Sequence, residues 1–176
     1  FTDAGSADTH TTAWDFGDGS AVVSGTLTPT HVYADNGVYT VTLTVTDDDG
    51  GVTSDTLTVT VANVAPVVDA GTNKTANEGA TVTFAGAFTD EDAADTHTTA
   101  WDFGDGSAVV TGTLTPTHVY ADNGVYTVTL TITDNNGGVG TGTMTVTVAN
   151  VAPVVDAGEN QGVNEGDTVT FDGSFT

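Results

Sequence analysis

Apolar and polar side chains alternate without a break through residues 125–133, in the order Val-Tyr-Thr-Val-Thr-Leu-Thr-Ile-Thr. Successive side chains of an extended strand point to opposite faces, so the alternation places Tyr126, Val128, Leu130 and Ile132 on one face. The other face carries threonines, which suit a pleated surface exposed to water. The pattern predicts a β-strand that covers an apolar core with one side.

Shorter segments of the same kind surround this strand. No helical spacing of apolar residues persists through a full window between residues 64 and 150. Turn-forming residues separate the apolar runs, and Asn135-Asn136-Gly137-Gly138 suits a tight hairpin. We therefore predict an all-β sandwich of about seven short strands, at residues 67–68, 81–84, 100–103, 107–110, 117–120, 125–133 and 143–148.

Two aromatic residues predict an immunoglobulin-like topology for this sandwich. Tyr126 begins the penultimate strand two residues before Val128, which is the position of a tyrosine corner. Trp101 occupies the matching core position on an earlier strand, where immunoglobulin domains pack a tryptophan against a disulfide. The chain has no cysteine, so the aromatic ring itself must fill this part of the core.

The sequence repeats at an offset of 87 residues. Phe1-Thr2 recurs as Phe88-Thr89 and Phe175-Thr176, at intervals of 88 − 1 and 175 − 88. A fixed long period indicates an array of similar units. Residues 64–150 are predicted to form a complete sandwich. Residues 1–63 are predicted to form a sandwich without its first two strands, and residues 151–176 to supply the first two strands of a further unit.

The two incomplete parts together make one sandwich. Alone, residues 151–176 should expose Val169, Phe171 and Phe175, and the first segment should expose the core that these side chains fit. Either the chain is part of a longer tandem protein, or the last strands of one copy complete the first domain of an identical chain head to tail. Both arrangements produce a linear assembly of neighbouring repeats.

Three motifs carry a family resemblance. They are Trp-Asp-Phe-Gly-Asp-Gly at 101–106, His-Val-Tyr-Ala-Asp-Asn-Gly-Val-Tyr-Thr-Val at 118–128, and Thr-Val-Thr-Asp-Asp-Asp-Gly-Gly at 44–51. Together they resemble the PKD (polycystic kidney disease) domain family, in the tandem form of bacterial or archaeal cell-surface proteins. The resemblance implies immunoglobulin-like β-sandwiches in secreted or surface proteins, which serve as spacer, adhesion or accessory binding modules.

The charge of the chain narrows its partners and its location. There are 24 acidic residues and a single basic one, Lys74, which gives a formal net charge of −23. Such a surface repels phosphate backbones and anionic lipids, so we expect neither nucleic acid binding nor membrane insertion. Salt and divalent cations outside the cell screen charge of one sign, which favours an extracellular or cell-surface location.

No catalytic constellation is visible, and we expect no enzyme activity. The histidines are two positions that each occur twice, and they lie among threonines without a cysteine partner. Asp15-Phe16-Gly17 lacks the phosphate loop and the lysine that a kinase requires. We expect the motif to form a turn and the histidines to be hydrogen-bonded structural residues: His10, His31, His97 and His118.

A calcium ion is the one cofactor that the acidic loops suggest. The PKD-like modules of bacterial collagenases bind calcium with residues from loops at one pole of the sandwich, and the resemblance places Asn63, Asp90, Asp92 and Asp134 there. The match is partial, because no Asp-Gly-Asp follows Asp90 and the first copy offers only Asp3, Gly5 and Asp47. The alternative is that these acidic loops are simply hydrated surface.

The leading hypothesis is a non-catalytic extracellular structural repeat that forms a rod, stalk or filament segment with a spacer or adhesion role. The alternative is a carbohydrate- or protein-binding accessory module of a secreted hydrolase. Aromatic side chains on a wet face are typical of glycan binding, whereas the wet faces here are rich in threonine. No particular glycan or protein ligand is indicated.

Overall fold

A computed structural model describes residues 8–176, and every regular element within that range is a β-strand. Residues 1–7, which begin the first predicted domain and include Asp3 and Gly5, lie outside the described residues. The chain clusters into two compact units. One comprises the residues up to 68 with 88–99 and 131–141, and the other comprises residues 69–87, 100–130 and 142–176.

The first repeat forms one antiparallel sheet. Its strands are β1 (His10–Asp15), β2 (Val23–Ser24), β3 (Gly37–Asp47) and β4 (Val52–Val61), in the order β2-β1-β3-β4. Phe16 and Val41 are buried at 6% and 3% exposure, whereas Trp14 and Leu43 are only half-buried. β4 ends the sheet, so one of its backbone edges has no strand partner among the described residues.

The second repeat contains nine strands. They are β5 (Val67–Asp69), β6 (Lys74–Asn77), β7 (Thr81–Thr83), β8 (Ala87–Thr89), β9 (His97–Asp102), β10 (Val110–Thr111), β11 (Thr117–Val119), β12 (Gly124–Asp134) and β13 (Val139–Ala149). The main sheet has the order β10-β9-β12-β13-β6, and β11 pairs with β7 and β5 with β8 in two-stranded ladders. The arrangement is an immunoglobulin-like all-β fold, as predicted.

The alternating pattern located the long strands more accurately than the short ones. β12 contains the whole alternating run, and Val128, Leu130 and Ile132 are each fully buried. β6 and β8 fall in stretches that we predicted as loops, and β10 begins at the last residue of the predicted 107–110 strand. β6 was missed because its Lys-Thr-Ala-Asn sequence has no apolar alternation; it is held by parallel pairing with β13.

Trp101 lies at the centre of the second core. It is 0% exposed, and its indole N–H donates to the Thr113 carbonyl at 3.1 Å. Phe84 packs against it with ring centroids 5.5 Å apart. Gly86 passes directly over the ring, because a Cβ there would lie 2.8 Å from Trp101 and would also overlap Leu130. The segment between β7 and β8, which contains Phe84 and Gly86, thus covers the tryptophan.

Tyr126 forms the predicted tyrosine corner. Its hydroxyl donates to the Asp122 carbonyl at 2.9 Å, and Tyr39 makes the same bond to the Asp35 carbonyl at 2.9 Å in the first repeat. This local hydrogen bond fixes the chain where it enters the penultimate strand. Both repeats therefore enter that strand in the same way.

The last segment is a separate short ladder. β14 (Val155–Asp156) pairs with β15 (Ser174–Phe175), and no other strand joins them within residues 8–176. Phe171 and Phe175 are 82% and 79% exposed, while Val169 is half-buried. Most of the apolar side chains of this segment therefore face solvent.

Candidate metal site

Asp134 lies at the end of β12 and is one of the most buried charged residues of the described chain, at 5% exposure. The Asn63 side-chain amide donates to Asp134 Oδ2 at 2.9 Å, and the backbone N–H groups of Asn136 and Gly138 donate to Oδ1 at 2.9 and 2.8 Å. The hydrogen bond from Asn63, aided by those of the hairpin backbone, outweighs desolvation and lowers the Asp134 pKa. Asn63, at the end of the first predicted domain, and Asp134, within the second, are therefore in direct contact.

Asp90 is held by a histidine. His97 Nε2 lies 2.8 Å from Asp90 Oδ2, and only 3% of the Asp90 side chain is exposed. This hydrogen bond is the main reason that the Asp90 pKa is lowered. The His97 ring also packs on Phe88, with centroids 4.6 Å apart. His97 therefore has the structural, hydrogen-bonded role predicted for it.

Asp92 and Asp95 each present one carboxylate oxygen that is buried and has no hydrogen-bond partner. Asp92 Oδ1 accepts the Ala94 N–H at 2.8 Å, but Oδ2 accepts nothing. Burial raises the Asp95 pKa, and the negative charges of Asp92 and Asp134 raise it further. Buried, unsatisfied anionic oxygens are costly, and a cation at this position would offset the cost.

The carboxylates form two overlapping groups. One oxygen from each of Asp90, Asp95 and Asp134 lies within 4.8 Å of the others, and the same holds for Asp35, Asp92 and Asp95. Asp95 belongs to both groups. The structure thus places Asp90 close to Asp134. Asp92 is close to Asp95, which is common to both groups and is not among our predicted ligands.

This oxygen-rich donor set fits calcium better than a softer metal. Calcium takes six to eight oxygen ligands in flexible geometry, whereas zinc prefers nitrogen and sulfur donors. An ion would be held either by Asp90, Asp95 and Asp134 or by Asp35, Asp92 and Asp95. Asn63 would position Asp134. The two orphaned oxygens are the structural observation that supports this assignment.

The connector between the repeats runs against the hairpin that follows Asp134. A Cβ on Gly138 would lie 2.7 Å from the Asn63 amide nitrogen and 3.0 Å from the Ala65 Cα, and a Cβ on Gly140 would overlap the Pro66 carbonyl. Both glycines are therefore required by close approach of the connector. The Asn136 amide also donates to the Asn36 side chain, which belongs to the first repeat.

The Trp-Asp-Phe-Gly-Asp-Gly motif builds a turn instead of a reactive site. Gly104 N–H donates to Asp102 Oδ1 at 2.9 Å, and His118 Nε2 lies 2.7 Å from Asp105 Oδ2. The His118 ring stacks on Phe103 with centroids 4.1 Å apart and planes 7° from parallel. The first repeat contains the same stacked pair, His31 on Phe16 at 4.0 Å. Asp105 and His118 therefore join the turn to the following strand.

The family model for the PKD domain matches residues 1–61 and 63–148. The PKD1 domain of Vibrio anguillarum Epp is 33% identical, matches 51% of this chain and all of its own length, and has a TM-score of 0.42. The PKD1 domain of the Vibrio cholerae metalloprotease PrtV is 32% identical, with 48% and 98% of the two chains covered and a TM-score of 0.35.

A further similar structure is more distant in sequence. The fibronectin(III)-like modules of Clostridium thermocellum CbhA are 15% identical over 81% of this chain and 86% of theirs, with a TM-score of 0.42.

Fold and site define a tandem β-sandwich module of immunoglobulin-like topology. The chain belongs to the PKD domain family, since the family model covers both repeats. PKD domains are non-catalytic modules of extracellular type, found in surface and secreted proteins including proteases. Within residues 8–176, no helix has the length and apolar character needed to cross a bilayer.

Proposed function

We propose that this chain is a structural segment of an extracellular protein, in which tandem PKD domains form a stiff spacer such as a rod or a stalk. The observation that supports the proposal best is the close fit of the connector. Asn63, Ala65 and Pro66 lie against the Asp134–Gly140 hairpin, with no room for a side chain at Gly138 or Gly140. A connector packed in this way restricts bending between consecutive repeats.

Calcium has a specific role in this proposal. Asp35 belongs to the first repeat and approaches Asp92 and Asp95 of the second. Without a cation, these carboxylates repel one another and oppose the close fit of the connector. Calcium bound by Asp35, Asp92 and Asp95 would cancel the repulsion, so the spacer would be stiffest at extracellular calcium concentrations.

The stiffness of the junction can be measured directly. The chain has no cysteine, so spin labels can be placed at Ala21→Cys and Ala108→Cys, two exposed positions that correspond across the repeats. We expect double electron–electron resonance to give a narrow distance distribution with millimolar calcium and a broader one with chelator. The labelled chain is mixed with an excess of unlabelled chain at low total protein concentration. The measured distances then come from label pairs within one chain.

Two variants distinguish the effect of calcium on stiffness from the effect of connector packing. Asp95→Asn should make the distribution insensitive to calcium, whereas Asp122→Asn, which changes an exposed acid outside the cluster, should leave the response intact. Isothermal titration calorimetry should detect calcium binding only in the second variant and the parent. A broad distribution under all conditions would contradict the spacer, and a narrow one unaffected by chelator would remove calcium from it.

A further inference from the structure

Asn73 lies immediately before β6 and begins the sequence Asn-Lys-Thr at residues 73–75. It is the only asparagine of the chain that is followed two positions later by serine or threonine. Asparagine with a hydroxyl residue at this spacing, and no proline between them, is the acceptor pattern for N-linked glycosylation. Because the pattern also arises by chance, what matters is how the folded chain presents the two side chains.

The folded chain presents both side chains of the pattern to solvent. Asn73 and Thr75 are exposed, whereas Lys74 between them is half-buried. Residues two apart in an extended segment point to the same side, so the amide and the hydroxyl face the same way. The two groups that define a glycan acceptor are therefore accessible together.

The Asn73 amide is held by its oxygen. Oδ1 accepts the backbone N–H of Thr145 in β13 at 2.9 Å. A backbone N–H can only donate, which fixes the orientation of the amide and directs Nδ2 away from this contact. None of the hydrogen bonds described for residues 8–176 uses Nδ2. A sugar is attached through Nδ2, so the contact with Thr145 can persist in the modified chain.

The acceptor lies at an open edge of the sheet. β6 is the last strand of the order β10-β9-β12-β13-β6, so one of its backbone edges is unpaired among the described residues. Such an edge can pair with a strand of another chain, and a lysine on it discourages this. Lys74, the single basic residue, is on β6. A hydrated glycan at Asn73 would cover the same edge with a much larger group.

We propose that Asn73 is a site of N-linked glycosylation and that its glycan covers the free edge of β6. The substrate is a lipid-linked oligosaccharide, and the transfer is made by an oligosaccharyltransferase. A bond forms between Asn73 Nδ2 and the anomeric carbon of the first sugar, and the bond from that carbon to the phosphate oxygen of the carrier breaks. The departing phosphate takes up the proton that Nδ2 loses, and nothing is oxidised or reduced.

The next copy of this segment supplies an internal control. Asn160-Gln161-Gly162 keeps the asparagine but has glycine where residues 73–75 have the hydroxyl. All three residues at 74–76 differ from those at 161–163, although most of the surrounding sequence is the same. Modification is therefore expected at Asn73 and not at Asn160 of the same chain.

The modification is tested by secreting the full chain from a eukaryotic host cell, followed by intact-mass and peptide mass spectrometry. Enzymatic release of the glycan leaves aspartate at the modified position, which identifies it. Thr75→Val keeps the shape of the side chain without its hydroxyl and should abolish the glycan, whereas Thr75→Ser should retain it. An unmodified Asn73 in the parent, or a glycan that persists in Thr75→Val, would overturn the proposal.

The fit of the glycan to the fold has a separate readout. Because Nδ2 is free and Oδ1 keeps its contact with Thr145, the glycosylated chain should unfold at a urea concentration no lower than that for Thr75→Val. A clearly lower midpoint for the glycosylated chain would mean that the glycan disturbs β6, and this would also contradict the proposal.

The cover of the edge is tested by moving the glycan. Val125→Asn, made together with Thr75→Val, places the acceptor pattern at residues 125–127 of β12, which lies between β9 and β13. Val125 is 70% exposed, so the position can accommodate a glycan. The parent, Thr75→Val and the double variant share nearly all other surfaces, so differences in their self-association report on the glycan and its position.

Sedimentation velocity over a range of chain concentrations measures this self-association. The glycosylated parent should associate at least about tenfold more weakly than Thr75→Val. The double variant, glycosylated away from the edge, should associate like Thr75→Val. Equal association of the parent and Thr75→Val, or equal protection by the moved glycan, would show that the glycan does not act by covering β6.

The outcome is independent of the spacer test. Spin-label distances report on the junction and its acidic cluster, whereas Asn73 and Thr145 lie outside both. A stiff junction in a chain without a glycan would remove the glycosylation site alone. A glycan at Asn73 in a chain with a flexible junction would remove the spacer alone.

Discussion

The two repeats have nearly the same sequence from residue 8 to 61 and from 95 to 148, but corresponding apolar side chains are buried to different extents. Val128, Leu130 and Ile132 are fully buried, whereas of their counterparts only Val41 is buried and the other two are half-buried. Residues 117–119 form β11, and the identical residues 30–32 form no strand. Burial and even strand formation therefore depend on strands that come from elsewhere in the sequence.

What remains equal between the repeats is local. The tyrosine corner, the His–Asp pair and the stacked histidine have nearly identical distances in both copies, because their partners lie 4 to 15 residues apart. The comparison separates two kinds of interaction. Those formed within one stretch of chain are present in both repeats, and those that need a covering strand are complete only in the second.

The largest expected difference concerns the two tryptophans. Trp101→Ala should destabilise the second repeat by about 3–5 kcal/mol, because it opens a cavity in a closed core. Trp14→Ala should cost about 1–2 kcal/mol, since the half-buried ring loses less apolar contact. Urea unfolding at low chain concentration, followed by circular dichroism and by fluorescence of the remaining tryptophan, measures both changes.

Equal losses for the two variants would mean that the first core is closed in solution.

The next largest difference in stability loss is expected between variants at the corresponding positions 140 and 53, of which only 140 contacts the connector. Gly140→Thr introduces the residue found at position 53 and forces it against the Pro66 carbonyl, so we expect a loss of about 1–3 kcal/mol. The reciprocal Thr53→Gly should cost about 1 kcal/mol or less, which reflects only strand propensity. Thermal unfolding of the two single variants compares them directly. If Thr53→Gly lowers the stability as much as Gly140→Thr does, contact with the Pro66 carbonyl is not the reason for the loss in Gly140→Thr.

The sequence predicted the parts of this comparison that depend on local pattern. Alternation predicts β12 and its buried face, and the positions of Trp101 and Tyr126 predict the topology from the sequence alone. β6 could not be found in this way. Its residues show no periodic apolar pattern, and parallel pairing with β13, about 70 residues further along the chain, is what makes it a strand.

At the acidic site too, the sequence predicts some residues, and others are recognised only from the folded structure. Asn63, Asp90, Asp92 and Asp134 were predicted from the loops that share a pole of the sandwich, but Asp95 was passed over although it lies in the same acidic loop. Its spacing within that loop was the available signal. Asp35 carried no such signal, because it reaches Asp92 and Asp95 from a different repeat. The unpaired oxygens of Asp92 and Asp95 depend on packing and could be recognised only in three dimensions.

The stability of the two repeats should depend on pH in the same way. Burial raises the Asp105 pKa, but hydrogen bonds from Ser107 and His118 outweigh it and bring the pKa to about 2. Hydrogen bonds from Ser20 and His31 likewise lower the Asp18 pKa below its ordinary value. A folded pKa below the unfolded value stabilises the protein above pH of about 4, and that stability is lost as the pH falls towards about 2.

Asp105→Asn and Asp18→Asn should each flatten the pH dependence of stability in this acid range, and to a similar extent. Denaturation midpoints measured between pH 2 and 6 test this, with the parent as reference because protonation of the other carboxylates also relieves repulsion. A flattening by only one of the two variants would show that the paired turns differ in solution.

The smallest difference is expected at the tyrosine corners. Tyr126→Phe and Tyr39→Phe each remove a hydroxyl that donates at 2.9 Å to a carbonyl four residues upstream. Each should cost about 1 kcal/mol, the net worth of one hydrogen bond, since the acceptor is exposed to water in both repeats. The two changes in the free energy of unfolding, measured by urea titration, should agree within about 0.5 kcal/mol. A much larger cost at Tyr126 would mean that the corner draws stability from the closed core around it, so that even this local contact depends on the covering strands.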